Sequence, residues 1–161
     1  MALDLIYPKR KEVNTKFRNL VRWGLVVLTI QIVWGAFVAG LGAGYLHNTW
    51  PLMNEGKLIH ETVWIEETPL WRNFIQGKSG VQFVHRYLAY AVVAVVLYIW
   101  YRGRQLDLTS NQAFAINGMM AMVLVQFLLG VFTLIYGVPV WLGVLHQVGA
   151  FFLLAFMTYT L

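Results

Sequence analysis

A chain of 161 residues that is 59% hydrophobic, 16% aromatic and only 12% charged has half the roughly 25% charged residues of a soluble domain, and the same numbers exclude disordered, coiled-coil and collagen-like classes. Cysteine is absent, which removes disulfides, Cys-ligated zinc, iron–sulfur clusters and thiol catalysis. The formal net charge of +5 would suit a nucleic-acid partner, but six of the twelve basic residues, Lys9, Arg10, Lys11, Lys16, Arg18 and Arg22, directly precede the first apolar run, where they mark the cytoplasmic flank of a membrane span and not a nucleic-acid surface.

Four apolar segments follow in chain order, at 23–41, 81–101, 113–136 and 138–161. Each has close to the roughly 20 residues that cross a hydrocarbon core as a helix, and helix is the only assignment that satisfies the backbone in lipid. The predicted fold is an all-α integral membrane protein, a single four-helix bundle over 1–161. The loop 42–80 sets Lys57, Arg72 and Lys78 against Glu55, Glu61, Glu66 and Glu67, the turn after the second span carries Arg102 and Arg104, and the hairpin around Gly137 and Pro139 is uncharged. This places the N-terminus and the 102–112 turn inside, and the long loop and the Pro139 hairpin outside. The Trp- and Glu-rich segment 62–74 is expected to lie along the outer surface as an interfacial helix, with Trp64 and Trp71 at headgroup level. Gly40 and Gly44 read as a small-xxx-small pair for helix packing. The fourth run stops at Leu161 without a polar flank, so the chain is expected to be a fragment of a longer protein.

A weak internal repeat is present. Gln31-Ile-Val-Trp-Gly35 in the first span is echoed by Gln126-Phe-Leu-Leu-Gly130 in the third, and spans two and four each carry one histidine, His85 and His146, near the outer end. Two hairpins related by a pseudo-twofold axis give this arrangement; small residues recurring by chance in packed apolar helices give it too. Ionisable residues inside spans are functional candidates by default. At about 1.5 Å rise per residue both imidazoles fall on the order of 10 Å below their helix starts, a depth at which two histidines on different helices of a bundle grip a haem iron from opposite faces. Gly143, Gly149 and Ala150 around His146, and Ala89 beside His85, leave room for a flat macrocycle. Arg86 is suited to pair with haem propionates. Another metal, or a pair of histidines bonding between helices, are the competing readings.

The runs Gly35-Ala-Phe-Val-Ala-Gly40-Leu-Gly-Ala-Gly44, Asn48-Thr-Trp-Pro-Leu-Met53, Val81-Gln-Phe-Val-His-Arg86, Gln126-Phe-Leu-Leu-Gly130 and Leu145-His-Gln147 resemble the haem A synthase family (COX15/CtaA), in that family's order and across all four spans. The resemblance implies an eight-span protein made of two homologous halves, of which this chain is similar to the C-terminal, haem b-binding half, with His85 and His146 matching the axial iron ligands. It implies that haem O is bound in the other half and its methyl group oxidised to the formyl of haem A, for cytochrome oxidase assembly, by a site with a Glu-x-x-His motif. Here the matching position is Gln82, so no catalytic residue is expected in this chain. It further implies a bacterial cytoplasmic membrane or mitochondrial inner membrane, with the haem toward the outer face, and homo-oligomer or haem O synthase contacts as candidate partners beside the lipid bilayer. Gly42 and His47 depart from the family pattern, and His47 and His60 are expected to be solvated loop histidines. A stand-alone or homodimeric haem b electron-transfer protein is the alternative, and a non-haem scaffold with structural histidines a third.

Overall fold

The computed structural model describes residues 14–54 and 56–161; the expectations that rest on Lys9, Arg10, Lys11 and Glu55 lie outside the described residues. The chain forms α1 (Thr15–Gly40), α2 (Lys78–Gly103), α3 (Ser110–Ile135) and α4 (Val140–Tyr159), with short 3-10 turns at Ala43–Tyr45, Glu61–Trp64 and Leu70–Phe74 and no strand among the described residues. All four helices are long and apolar enough to cross a membrane.

Helix α1 begins eight residues before the apolar run because Asn14 caps it, its Oδ1 accepting from the Lys16 N–H at 2.9 Å. Its 26 residues extend about 39 Å, longer than a hydrocarbon core of about 30 Å, and Lys16, Arg18 and Arg22 all lie in its first two turns or so. A capping box closes the start of α3, Thr109 and Gln112 each accepting from the other's backbone N–H. At the same end the Trp100 indole N–H donates to Asn117 Oδ1 at 3.0 Å, tying α2 to α3.

The helices pack as two hairpins, α1 on α2 and α3 on α4, joined mainly along α2 and α3. The apolar core, Phe17, Val21 and Leu28 of α1, Val92, Val96 and Ile99 of α2, Ile116, Met119 and Val123 of α3, and Leu153 and Met157 of α4, fills the half of the bundle away from the long loop. Toward the loop end the same seam changes to Gln, Gly and His.

The loop differs from its expected form in two ways. First, 62–74 is two 3-10 turns and not one helix, gathered around Asn73, which is fully buried. Its Nδ2 donates to the carbonyls of Trp64, Glu67 and Leu70 and its Oδ1 accepts from the Glu67 N–H, satisfying backbone groups that a continuous helix would have paired internally. Trp64 and Trp71 are exposed, as an interfacial position requires. Second, Gly40 and Gly44 do not form a helix-packing pair. The helix ends at Gly40, where an added Cβ meets nothing, and Gly44 lies in a 3-10 turn with its Cβ position 2.9 Å from Val138 in the α3–α4 hairpin. Asn48 then bridges the Gly44 and Leu134 carbonyls at 2.7 and 2.8 Å, locking the loop to α3.

Candidate cofactor site between the histidine helices

His85 and His146 stand in equivalent places. Each is seven residues before the core residue on its own helix, Val92 in α2 and Leu153 in α4. The partner helices repeat as well: Gln31 and Gln126 are each three residues past the core residues Leu28 and Val123, and Gly35 and Gly130 four further on. Each glycine lies against the histidine of its own hairpin. A Cβ at Gly35 would stand 3.0 Å from His85 Cε1, and one at Gly130 would stand 3.1 Å from His146 Cε1. The glycines are therefore saddles on which the imidazole edges rest, and any side chain there would push the ring aside. The Gln-x-x-x-Gly repeat in the sequence is thus a repeat in space, one copy per histidine.

The two imidazole centroids are 6.5 Å apart with ring planes at 90°. Both Nδ1 atoms are buried without a hydrogen-bond partner, whereas neither Nε2 is enclosed in this way. Gln31 donates from Nε2 to the His85 carbonyl at 3.1 Å, and Gln126 is buried with its Nε2 unpartnered. Among the described residues no group of three or more His, Asp or Glu side chains is placed to hold a metal ion. Two imidazoles would leave the rest of an ion's coordination to a cofactor or to water.

The small residues around His146 have separate roles. An added Cβ at Gly143 meets nothing, but the Cβ position of Gly149 coincides with the Gln126 amide, so Gly149 makes room for a glutamine of α3. Arg86 is turned toward the loop. Its Nη1 donates to the Leu52 carbonyl at 3.3 Å, and its Nη2 donates to the carbonyls of Thr49, at 2.8 Å, and His47. Its Nε is buried and unpartnered. Gln82, one turn nearer the loop than His85, is 2% exposed and donates to the His47 carbonyl at 3.4 Å.

The expectation of solvated loop histidines fails for His47. It is 5% exposed, its Nε2 is 3.0 Å from Ser79 Oγ, and its ring lies 4.8 Å from that of half-buried His60. The sequence shows Gly35 and Gly130 as members of a weak repeat, but not that they seat the histidines. The signal that identifies them was the repeat itself, since a glycine at the same offset in both hairpins has the same neighbour in both.

The profile of the COX15-CtaA family, described as cytochrome oxidase assembly protein, matches residues 1–158. The chain is 56% identical over its whole length to heme A synthase of Flavobacterium johnsoniae and 47% identical to that of Flavobacterium psychrophilum, covering 48% of each. It is 39% identical to heme A synthase of Rhodospirillum centenum over 85% of this chain and 36% of the relative. The chain therefore spans about half the length of the curated relatives it matches, and no solved structure matches it significantly. With one profile over nearly every residue and relatives of this identity, the chain belongs to the COX15-CtaA family.

Proposed function

We propose that this chain is the C-terminal, four-span half of a haem A synthase, one membrane domain over 1–161, and that it binds one haem b between His85 and His146. The observation that carries this reading is the paired geometry: two imidazoles 6.5 Å apart, each seated on a glycine of its own hairpin. The donor set fits a haem, since two buried imidazoles of paired hairpins would hold its iron between them and no carboxylate or thiolate competes in the spans. When bound, such a group supplies one-electron transfer at its iron.

The residues of this chain hold and shield. His85 and His146 would hold the group, Gly35 and Gly130 set the positions of their rings, and Arg86, whose other nitrogens clamp the loop, would pair with its carboxylates through Nε. Gln82 occupies the turn before His85 without a carboxylate, and no acidic side chain lies within the apolar spans: Asp107 is in the α2–α3 turn and the glutamates are in the tail and loop. Oxidation of the haem O methyl group to a formyl is therefore assigned to the other half of the protein, with this half relaying electrons to an external partner. The loop and the histidine pair face the outer side of a bacterial cytoplasmic membrane, on the charge asymmetry of the flanks.

Two measurements test the reading. Purified protein is expected to show a low-spin bis-imidazole spectrum that His85→Ala or His146→Ala abolishes and His60→Ala leaves intact. Cells lacking their own synthase and making only this chain are expected to accumulate haem O without haem A. A low-spin signal that survives His146→Ala overturns the ligand assignment, and haem A in the second experiment overturns the division of labour between halves.

A further inference from the structure

A second cluster of titratable side chains, on the loop face of α2, has no part in holding the cofactor. Gly77 at the N-cap of α2 has no side chain to offer the first turn, and Glu66 from the loop takes that place. Its Oε2 accepts from the Ser79 N–H at 3.0 Å and its Oε1 accepts from the Ser79 hydroxyl at 2.6 Å. Ser79 is 1% exposed. With its single hydroxyl proton given to Glu66, its Oγ acts only as an acceptor for its other neighbours: Thr62 Oγ1 donates to it at 2.8 Å, and His47 Nε2 at 3.0 Å must carry a proton and donate as well.

The direction of every bond is thus fixed, from His47 Nε2–H to Ser79 O–H to the exposed carboxylate of Glu66. His47 Nδ1 is left as a bare acceptor, buried and unpartnered. Two other unpartnered buried atoms belong to residues bonded to the same His47 carbonyl, Gln82 Oε1 and Arg86 Nε. Two acceptors and one donor on residues that share one carbonyl are the complement that a water molecule would satisfy.

We propose that His47, Ser79 and Glu66 form a proton relay that joins this buried edge of the histidine site, beside Arg86, to the solvent-facing surface. What the relay serves rests on the reading of the site given above; its own geometry does not. In the forward step an excess proton carried to this edge on a water molecule bonds to His47 Nδ1 and leaves the water neutral, the Nε2–H proton passes to Ser79 Oγ, and the Ser79 hydroxyl proton passes to Glu66 Oε1. His47 ends neutral with its proton on Nδ1, Ser79 is unchanged, and Glu66 is a carboxylic acid that releases its proton to solvent. No imidazolium is left behind, which matters because the charged and titratable groups facing His47 are His60, Arg86 and Glu66. Burial first, and then His60 and Arg86, hold the His47 imidazole below its ordinary value of 6.5, against a smaller opposing pull from Glu66. A lone His47 would resist protonation; a relay ending in a carboxylate passes the proton on.

Two measurements on the full chain decide this. The first is side-chain 15N NMR of His47, assigned by comparison with His47→Phe. Neutral His47 is expected as the Nε2–H tautomer, with the preference lost in Ser79→Ala and kept in Ser79→Thr. A dominant Nδ1–H form, or a tautomer indifferent to Ser79→Ala, overturns the relay. The second is the rate at which the haem-loaded protein releases a proton to an indicator dye when its haem is oxidised in a stopped-flow mixer. Release is expected to slow at least tenfold in His47→Phe and Glu66→Gln, to be largely restored in Glu66→Asp, and to be unchanged in Lys57→Ala. Unchanged rates in both variants with the bis-imidazole spectrum retained, or no release from the wild type, overturn the relay. Absence of that spectrum from the wild-type chain overturns the site reading instead, and the tautomer of His47 then decides for or against the relay by itself.

Discussion

Replacing Gly35 by alanine tests whether the glycine saddles are part of the cofactor site. The new methyl group stands 3.0 Å from His85 Cε1 and 3.6 Å from Nδ1. Resting carbon contacts lie at about 3.5–4.0 Å, so the ring must retreat by about 0.5 Å. Overpacking of this kind costs about 1–3 kcal/mol, whereas removing a mid-helix glycine gains about 1 kcal/mol of helix propensity. The propensity gain acts equally with and without cofactor, while the crowding acts on the ring that must meet an iron. The haem-free protein is therefore expected to unfold within about 1 kcal/mol of the wild type, and haem affinity to fall about tenfold, a difference of about 1.4 kcal/mol. Titration of haem into detergent-purified protein, followed by its absorption band, measures the affinity; thermal unfolding in parallel measures the fold. Gly130→Ala is the twin experiment on His146, with its contact at 3.1 Å. Gly40→Ala, where the added carbon meets nothing, is the control and is expected to bind as wild type. Wild-type affinity in both Gly35→Ala and Gly130→Ala would refute the saddle argument.

The remaining expectations follow from ring orientation and charge. Imidazole planes at 90° split the iron orbitals little, so the ferric holoprotein is expected to give a highly anisotropic low-spin EPR signal; an ordinary rhombic three-line spectrum would show that the rings turn on binding. Cysteines introduced at Lys57 and Gln105, in a chain with none of its own, test orientation, since an impermeant thiol reagent applied from outside is expected to label position 57 and spare position 105. The reverse labelling would invert the bundle.

Composition alone determined that the chain is a membrane helix bundle, because backbone in lipid has no other solution and runs of about 20 apolar residues have no other use. The histidines were legible for a related reason, since imidazoles inside apolar spans stand out against a background that does not tolerate idle polar groups. The repeat was visible but not its meaning. Whether Gly35 faces His85 depends on how α1 rotates against α2, and rotation is set by interdigitation of Leu28, Val92 and the rest of the core, which no single helix specifies. The loop was least legible. His47 looked like a solvent histidine because nothing within its own segment buries it; Ser79 lies 32 residues away, and Arg86 39 residues away bonds its carbonyl. Asn73 likewise replaced an expected interfacial helix with two tight turns, by bonding three carbonyls up to nine residues distant. Local pattern encodes what a segment does against a uniform solvent such as lipid. Where polar groups must find one another across the chain, only the folded geometry decides the pairing.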